Sequence, residues 1–279
     1  MDLNVQKIKV NYNVMPKGLT YYIIGQPKTG KSTQASKWSD KGQDGVLVLD
    51  TDLGADFVQG ANIVPIISLN QPLKEVKKGN ESKFEVIPPE KRGYVYRNGP
   101  DIGKPMPVYA ISEVLFWLEE NFEKSEYDTI VIDTVDQVNE WIEDTVKEEM
   151  GISEMGMGGY GSDWAKARKK NADVVKRIQM LIKRTAGTLV LISHSKKTNI
   201  EDEKVQLGPS LPRGLGKALT AKSDVIGFTE IDKKSGDYLI NFKAYDERSN
   251  GSRFKPIAQK ILPFSYDAIK KEIKEYKEE

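Results

Sequence analysis

Gly25-Gln26-Pro27-Lys28-Thr29-Gly30-Lys31-Ser32-Thr33 is the stretch on which the fold reading turns. It fits the spacing G-x-x-x-x-G-K-[ST], a loop whose backbone N–H groups cradle phosphate oxygens. Its flanks agree with that. Leu19-Thr20-Tyr21-Tyr22-Ile23-Ile24 is rich in aromatic and β-branched residues and reads as a buried strand. Ser32 to Trp38 reads as the start of a helix. A strand–loop–helix unit aims consecutive N–H groups and the positive end of a helix at one point, which suits a polyphosphate. The spacing assigns Lys31 to the β- and γ-phosphates and Ser32 to Mg²⁺, so ATP and Mg²⁺ are the expected cofactors.

The rest of the chain constrains the company this loop keeps. A length of 279 residues allows one large domain or two small ones. Lys plus Arg is 42 against 41 for Asp plus Glu, so any nucleic-acid surface has to be a local patch. The lack of cysteine excludes disulfides and thiolate–zinc sites. No apolar run approaches a membrane span and the N-terminus lacks a signal-peptide core, so a soluble, cytoplasmic protein with no membrane partner is expected. A chain 38% hydrophobic and 30% charged is globular rather than disordered.

In chain order, residues 1–18 form a short polar lead-in. A first helix is expected from Lys31 to Asp40. Gly45-Val46-Leu47-Val48-Leu49-Asp50 is an unbroken apolar run of the kind buried on both faces of a parallel sheet. Val64 to Leu69 is a shorter strand candidate. Residues 70–108 hold several Pro, Gly, Lys and Glu residues and the short aromatic stretch Tyr94-Val95-Tyr96, and this composition reads as a long insertion with room for a hairpin. Val108 to Phe122 has helical periodicity, with Ile111, Val114, Leu115 and Leu118 on one side. Thr129-Ile130-Val131-Ile132-Asp133 is the next strand. A helix from Val135 to Met150, a Gly-rich segment and a basic helix from Trp164 to Thr185 follow. Thr188 to His194 is another buried strand, with a loop and a short helix after it. Strands over 224–232, 238–245 and 254–262 predict an antiparallel extension, and 263–279 should hold a terminal helix. Strands alternating with helices indicate an α/β fold, a mostly parallel sheet flanked by helices, with ligands at the carboxyl ends of the strands.

Several residues then stand out for chemistry. Asp133 ends a buried strand, the position from which a carboxylate approaches Mg²⁺. Asp50 and Asp52 end the strand after the first helix, and a carboxylate there can orient water for attack on the γ-phosphate; Asp52 is the first choice. His194 is the lone histidine, at a strand tip between Ser193 and Ser195, where it can sense the γ-phosphate. Five glycines, three methionines and Tyr160 between Met150 and Asp163 exclude a regular element. That segment leads into Lys166, Arg168, Lys169 and Lys170. Basic side chains beside glycine and aromatic residues suit single-stranded nucleic acid. Lys196, Lys197 and Arg213 form a second candidate strand-binding loop. Arg248, after a late strand, is the first choice for an arginine finger toward a neighbouring subunit, with Lys243 and Arg253 as alternatives.

Taken in order, these pieces resemble the RecA-like ATPase core. Within it they look most like small phage-encoded ATPases of the RecA-like single-strand-annealing type. Gly25 to Ser32, Val131-Ile132-Asp133-Thr134 and Ile192-Ser193-His194-Ser195-Lys196 carry the likeness, which covers about residues 18–262 of a single 1–279 domain. The resemblance implies that 151–164 and 196–213 are two mobile DNA-facing loops and that His194 couples them to nucleotide. It implies a homo-oligomer, ring or filament, on single-stranded DNA, with a single-strand-binding protein as a further partner. Asp52 stands where such recombinases usually carry Glu, and His194 where they often carry Gln. Three alternatives share the phosphate loop: a hexameric helicase-like or loader motor, a small-molecule kinase, and a nucleotide-gated binding protein with little turnover.

Overall fold

A computed structural model describes residues 9–78, 81–200, 204–245 and 250–277. The chain enters through β1 (Thr20–Gly25), the phosphate loop and α1 (Lys31–Ala35). Next come β2 (Val46–Asp50), β3 (Asn62–Ser68), the hairpin β4 (Leu73–Lys78) and β5 (Glu81–Val86), β6 (Tyr109–Ala110) and α2 (Ile111–Asn121). The second half holds β7 (Thr129–Asp133), α3 (Val135–Met150), α4 (Ser162–Thr185), β8 (Thr188–Ile200), β9 (Lys204–Pro209) and α5 (Arg213–Lys222). It closes with β10 (Val225–Ile231), β11 (Tyr238–Asn241), β12 (Gly251–Ser252), β13 (Ile261–Pro263) and α6 (Tyr266–Lys274).

The main sheet has the order β13-β11-β10-β1-β8-β7-β2-β3-β6. From β10 to β6 all neighbours are parallel, while β11, β12 and β13 extend it antiparallel. The unbroken apolar runs are explained by cover on both faces. Tyr22, Ile24, Leu49, Ile132 and Leu191 face α2, α3 and α4, whereas Tyr21, Ile23, Val48, Val131 and Val190 face Trp38 and α6. Alternate residues of one strand thus feed two cores.

Three expectations need correction. The first helix stops at Ala35 rather than Asp40. Trp38 is wholly buried against Tyr21, Phe264 and Tyr266, and its carbonyl accepts from the Thr129 hydroxyl at 2.8 Å. Second, β8 does not end at His194. Its first seven residues pair with β1 and β7, and Ser195 to Ile200 then pair with β9 alone. Residues 196–200 and 204–209 are thus paired strands and Arg213 starts α5, rather than all belonging to a loop. Third, 254–262 holds a single helical turn before the short β13, so no strand spans it. The expected hairpin in 70–108 is β4–β5, and Arg97 pins the same insertion to Leu53 and Asp56 after β2.

The helix pair α3 and α4 has a direction that matters for the site. α4 leads into the start of β8, so it runs from the carboxyl edge of the sheet toward the amino edge. Its Asn171 donates to Asn139 at 3.0 Å, and its Lys166 and Lys170 pair with Glu149. The two helices are therefore antiparallel, and α3 runs outward from the carboxyl edge. The 24-residue α4, about 36 Å long, reaches past that edge with it. The outer half of β8 adds about 20 Å on the same side. Two hairpins, one helical and one of strands, therefore stand over the carboxyl ends of β1, β7 and β8.

Candidate active site

The phosphate loop sits where β1 meets α1. Gly30 caps α1 with φ 76°, the left-handed region that favours glycine, and no side chain caps the helix. The first N–H groups of α1 thus lack a side-chain acceptor at the loop. Lys31 is buried, and its ammonium donates to the carbonyls of Gly25 at 3.1 Å and Gln26 at 2.7 Å. Burial lowers its pKa, while the carboxylates of Asp133, Asp136 and Asp52 oppose that shift. On the far side of the loop, the Thr29 and Thr229 hydroxyls lie 2.6 Å apart. A Cβ on Gly25 would stand 1.8 Å from Thr229 Oγ1. Gly25→Ala is therefore expected to lower stability by about 1–3 kcal/mol through overpacking. Thermal unfolding of Gly25→Ala and Gly25→Ala/Thr229→Ala checks this, because removal of the hydroxyl should restore part of the loss.

Asp133 lies at the end of β7, one strand away from β1, because β8 separates them. The Ser32 hydroxyl favours the ionised form of its carboxylate. Burial pushes its pKa up to about 6, helped by Asp52 and Asp50 and opposed by Ser32 and Lys31. The next peptide bond, Asp133–Thr134, is cis. Thr51 knits β2 to this point: its hydroxyl donates to Thr134 O at 2.9 Å and accepts from Thr134 N at 2.7 Å. Asp52 projects to the surface and accepts from the Thr134 hydroxyl at 3.4 Å. Partial desolvation raises its pKa, as do Asp136 and Glu140, while His194 lowers it. Asp50 has another employment. Its two oxygens accept the N–H groups of Gly54 at 3.1 Å and Ala55 at 3.0 Å, so it caps the turn after β2.

His194 stands where β8 leaves the sheet. Its ring Nδ1 lies 3.1 Å from Asp136 Oδ2, and its backbone N–H donates to the same oxygen at 2.6 Å. The Ser193 hydroxyl donates to the other oxygen of Asp136. The hydrogen bond to Asp136 raises the pKa of His194, against burial and the nearby Lys31. Asp136 sits in the first turn of α3, so this one carboxylate ties the base of the helical hairpin to the base of the strand hairpin.

A family model described as an AAA domain matches residues 17–254. The chain belongs to that family. Comparison with curated proteins finds no match. An AAA domain is a P-loop nucleotide-binding unit of the ATPase type, and the fold above is the mostly parallel α/β sheet such a unit requires. Nucleotide with Mg²⁺ is the cofactor this family implies, and the residues fit it. Lys31 is a buried cation on which the carboxylates of Asp133, Asp136 and Asp52 act, and the Ser32 hydroxyl and Asp133 carboxylate are the hard oxygen donors that Mg²⁺ takes. Lys31 and the Gly25–Thr33 backbone would hold the phosphates, and Ser32 and Asp133 the metal.

Apart from Arg213 and Arg248, the remaining candidates of the AAA domain lie on the two hairpins. Tyr160 is fully exposed between Gly159 and Gly161. Arg168 and Lys169 are exposed near the start of α4, with the Arg168 guanidinium beside Gly214 of α5. Lys166 and Lys170 share Glu149, which spends part of their charge inside the molecule. The Gly-rich turn is organised by buried Asp163, which accepts from the N–H groups of Gly156, Gly158 and Trp164. Lys196 and Lys197 are exposed on β8. Arg213 is the first residue of α5, and Arg248 lies outside the described residues. Sequence reasoning missed Asp136, Thr51, Thr229 and Tyr238, whose ring lies against Gly30. The acid two places after Thr134, in a first helical turn, was the available signal for Asp136. Among the described residues no helix is long and apolar enough to cross a membrane.

Proposed function

We propose that this AAA domain binds ATP with Mg²⁺, hydrolyses it slowly and acts as a homo-oligomer, ring or filament, on single-stranded DNA. The task is strand annealing or recombination of the phage type, in the cytoplasm, alongside a single-strand-binding protein. The observation that carries the reading is the meeting, at one sheet edge, of Lys31, Ser32 and Asp133 with the His194–Asp136 joint from which both hairpins rise. Lys31 would hold the γ-phosphate, and His194, which interacts with Lys31 and Asp52, would sense it. Asp52 orients the attacking water, being the acid whose oxygens are not taken up by backbone N–H groups. Change at the γ-phosphate passes through His194 to Asp136, and so to α3 and β8 together. Support for the DNA part is the grouping of exposed Tyr160, Arg168, Lys169, Lys196 and Lys197 on those hairpins: rings stack on bases and cations track phosphates.

The test is ATP turnover by the full chain with and without single-stranded oligonucleotide, together with annealing of complementary strands. Stimulation by several-fold that fades with rising salt is expected. Turnover indifferent to DNA, with no DNA binding, would remove the DNA part and leave the nucleotide part.

A further inference from the structure

The phosphate loop has two sides, and they differ. On the β8, β7 and β2 side stand His194, Asp133 and Asp52, together with the ammonium of Lys31. On the β10 and β11 side stand Thr229 and Tyr238. The Cγ, Cδ1 and Cδ2 atoms of the Tyr238 ring lie 3.4, 3.5 and 3.4 Å from where a Cβ on Gly30 would be. The ring thus covers the last glycine of the loop with one face. It is nonetheless 42% exposed, although it begins a strand of the sheet extension. A large aromatic held by one face and left open on the rest of its surface is a platform for a flat ligand.

The chemistry of a nucleotide on this loop says which flat ligand that is. The terminal phosphate is fixed at the cation and the carboxylates, on the β7 and β8 side. The polyphosphate follows the loop, so the nucleoside leaves toward β10 and β11. There it meets Tyr238. We propose that Tyr238 is the base platform of this site, stacking the nucleobase of a purine nucleoside triphosphate whose phosphates lie on Gly25–Thr33. The inference rests on the nucleotide reading above and adds to it the contact that holds the base. Stacking reads area rather than hydrogen-bond pattern, so ATP and GTP bind alike and both bind more tightly than CTP or UTP.

Calorimetry on the full chain with Mg²⁺ separates this from a structural role, with ATP and inorganic tripolyphosphate as the two ligands. Tyr238→Ala is expected to weaken ATP about ten- to hundredfold and to leave tripolyphosphate within about twofold of wild type, while Tyr238→Phe keeps both. Tyr238→Trp gives a signal of its own: an emission change on ATP, absent with tripolyphosphate and absent from wild type. Equal losses of both ligands in Tyr238→Ala would mean that the ring only props Gly30, and would overturn the proposal. So would an unchanged ATP affinity, or a tryptophan at 238 blind to bound ATP. A wild type that binds tripolyphosphate but gains nothing from the base defeats the platform alone. One that binds neither ligand defeats the phosphate-loop reading, and the platform with it.

Discussion

Lys31→Ala is expected to cut ATP turnover by about 10²–10³-fold, a loss of roughly 3–4 kcal/mol of transition-state stabilisation. Lys31 is the cation of the loop itself, and its ammonium already rests on the Gly25 and Gln26 carbonyls within reach of where phosphate oxygens would lie. In a site with four carboxylates nearby, Asp50, Asp52, Asp133 and Asp136, a triphosphate meets repulsion unless that cation is present. Charge alone does not restore the function. Lys31→Arg carries a planar fork too wide for the pocket that burial gives the lysine, so it too should stay well below wild type. The fold should survive both changes, since a buried ammonium with a lowered pKa contributes little to stability. Steady-state kinetics alongside thermal unfolding check the pair. Near-normal turnover in Lys31→Ala would remove the loop from the chemistry.

Asp133→Asn is expected to do two opposite things. Turnover that depends on Mg²⁺ should fall on the order of 100-fold, because the carboxylate that would hold the metal with Ser32 is gone. The ligand-free protein should become more stable at pH 7. Asp133 is only 6% exposed, and burial pushes its pKa up to about 6. An unfolded Asp titrates near about 3.9. The native state therefore holds the proton through the window between about 4 and 6, while the unfolded state has released it. Stability from this group is present below that window and is lost as pH rises through it. At pH 7 the ionised form costs about 3 kcal/mol, and a neutral amide of the same shape recovers part of that. A rise in Tm of a few degrees at pH 7 is expected, with a flatter Tm profile between pH 5 and 7 than wild type. A lower Tm with an unchanged profile would contradict it.

The frame of the molecule was legible because its strands announce themselves. Tyr21 to Ile24, Val46 to Leu49 and Ile130 to Ile132 are apolar at every position, which only a strand covered on both faces requires. α3 was legible to the residue, since Thr134 caps it and Gly151 ends it in the left-handed conformation. The outer half of β8 was not, because Lys196-Lys197-Thr198-Asn199 is polar throughout and pairs only with β9. Polar residues in a strand outside the core carry no period to detect. Trp38 looked helical from its neighbours, yet its burial between β1 and α6 breaks the helix early. The site divides in the same way. The phosphate loop is contiguous, so its spacing exposes it. The Asp136–His194 joint spans 58 residues, and Tyr238 reaches Gly30 only because β10 lies beside β1. Asp50 and Asp52 are indistinguishable as letters, and only the N–H groups of Gly54 and Ala55 separate a turn cap from a carboxylate open to water.

The most direct measurement is a crystal structure of the full chain grown with a non-hydrolysable ATP analogue and Mg²⁺. The account predicts a triphosphate lying along Gly25–Thr33, with Lys31 turned from the loop carbonyls onto its oxygens and the metal beside Ser32 and Asp133. Nucleotide bound elsewhere at saturating concentration, or a loop still closed by Lys31 on Gly25 and Gln26, would contradict it.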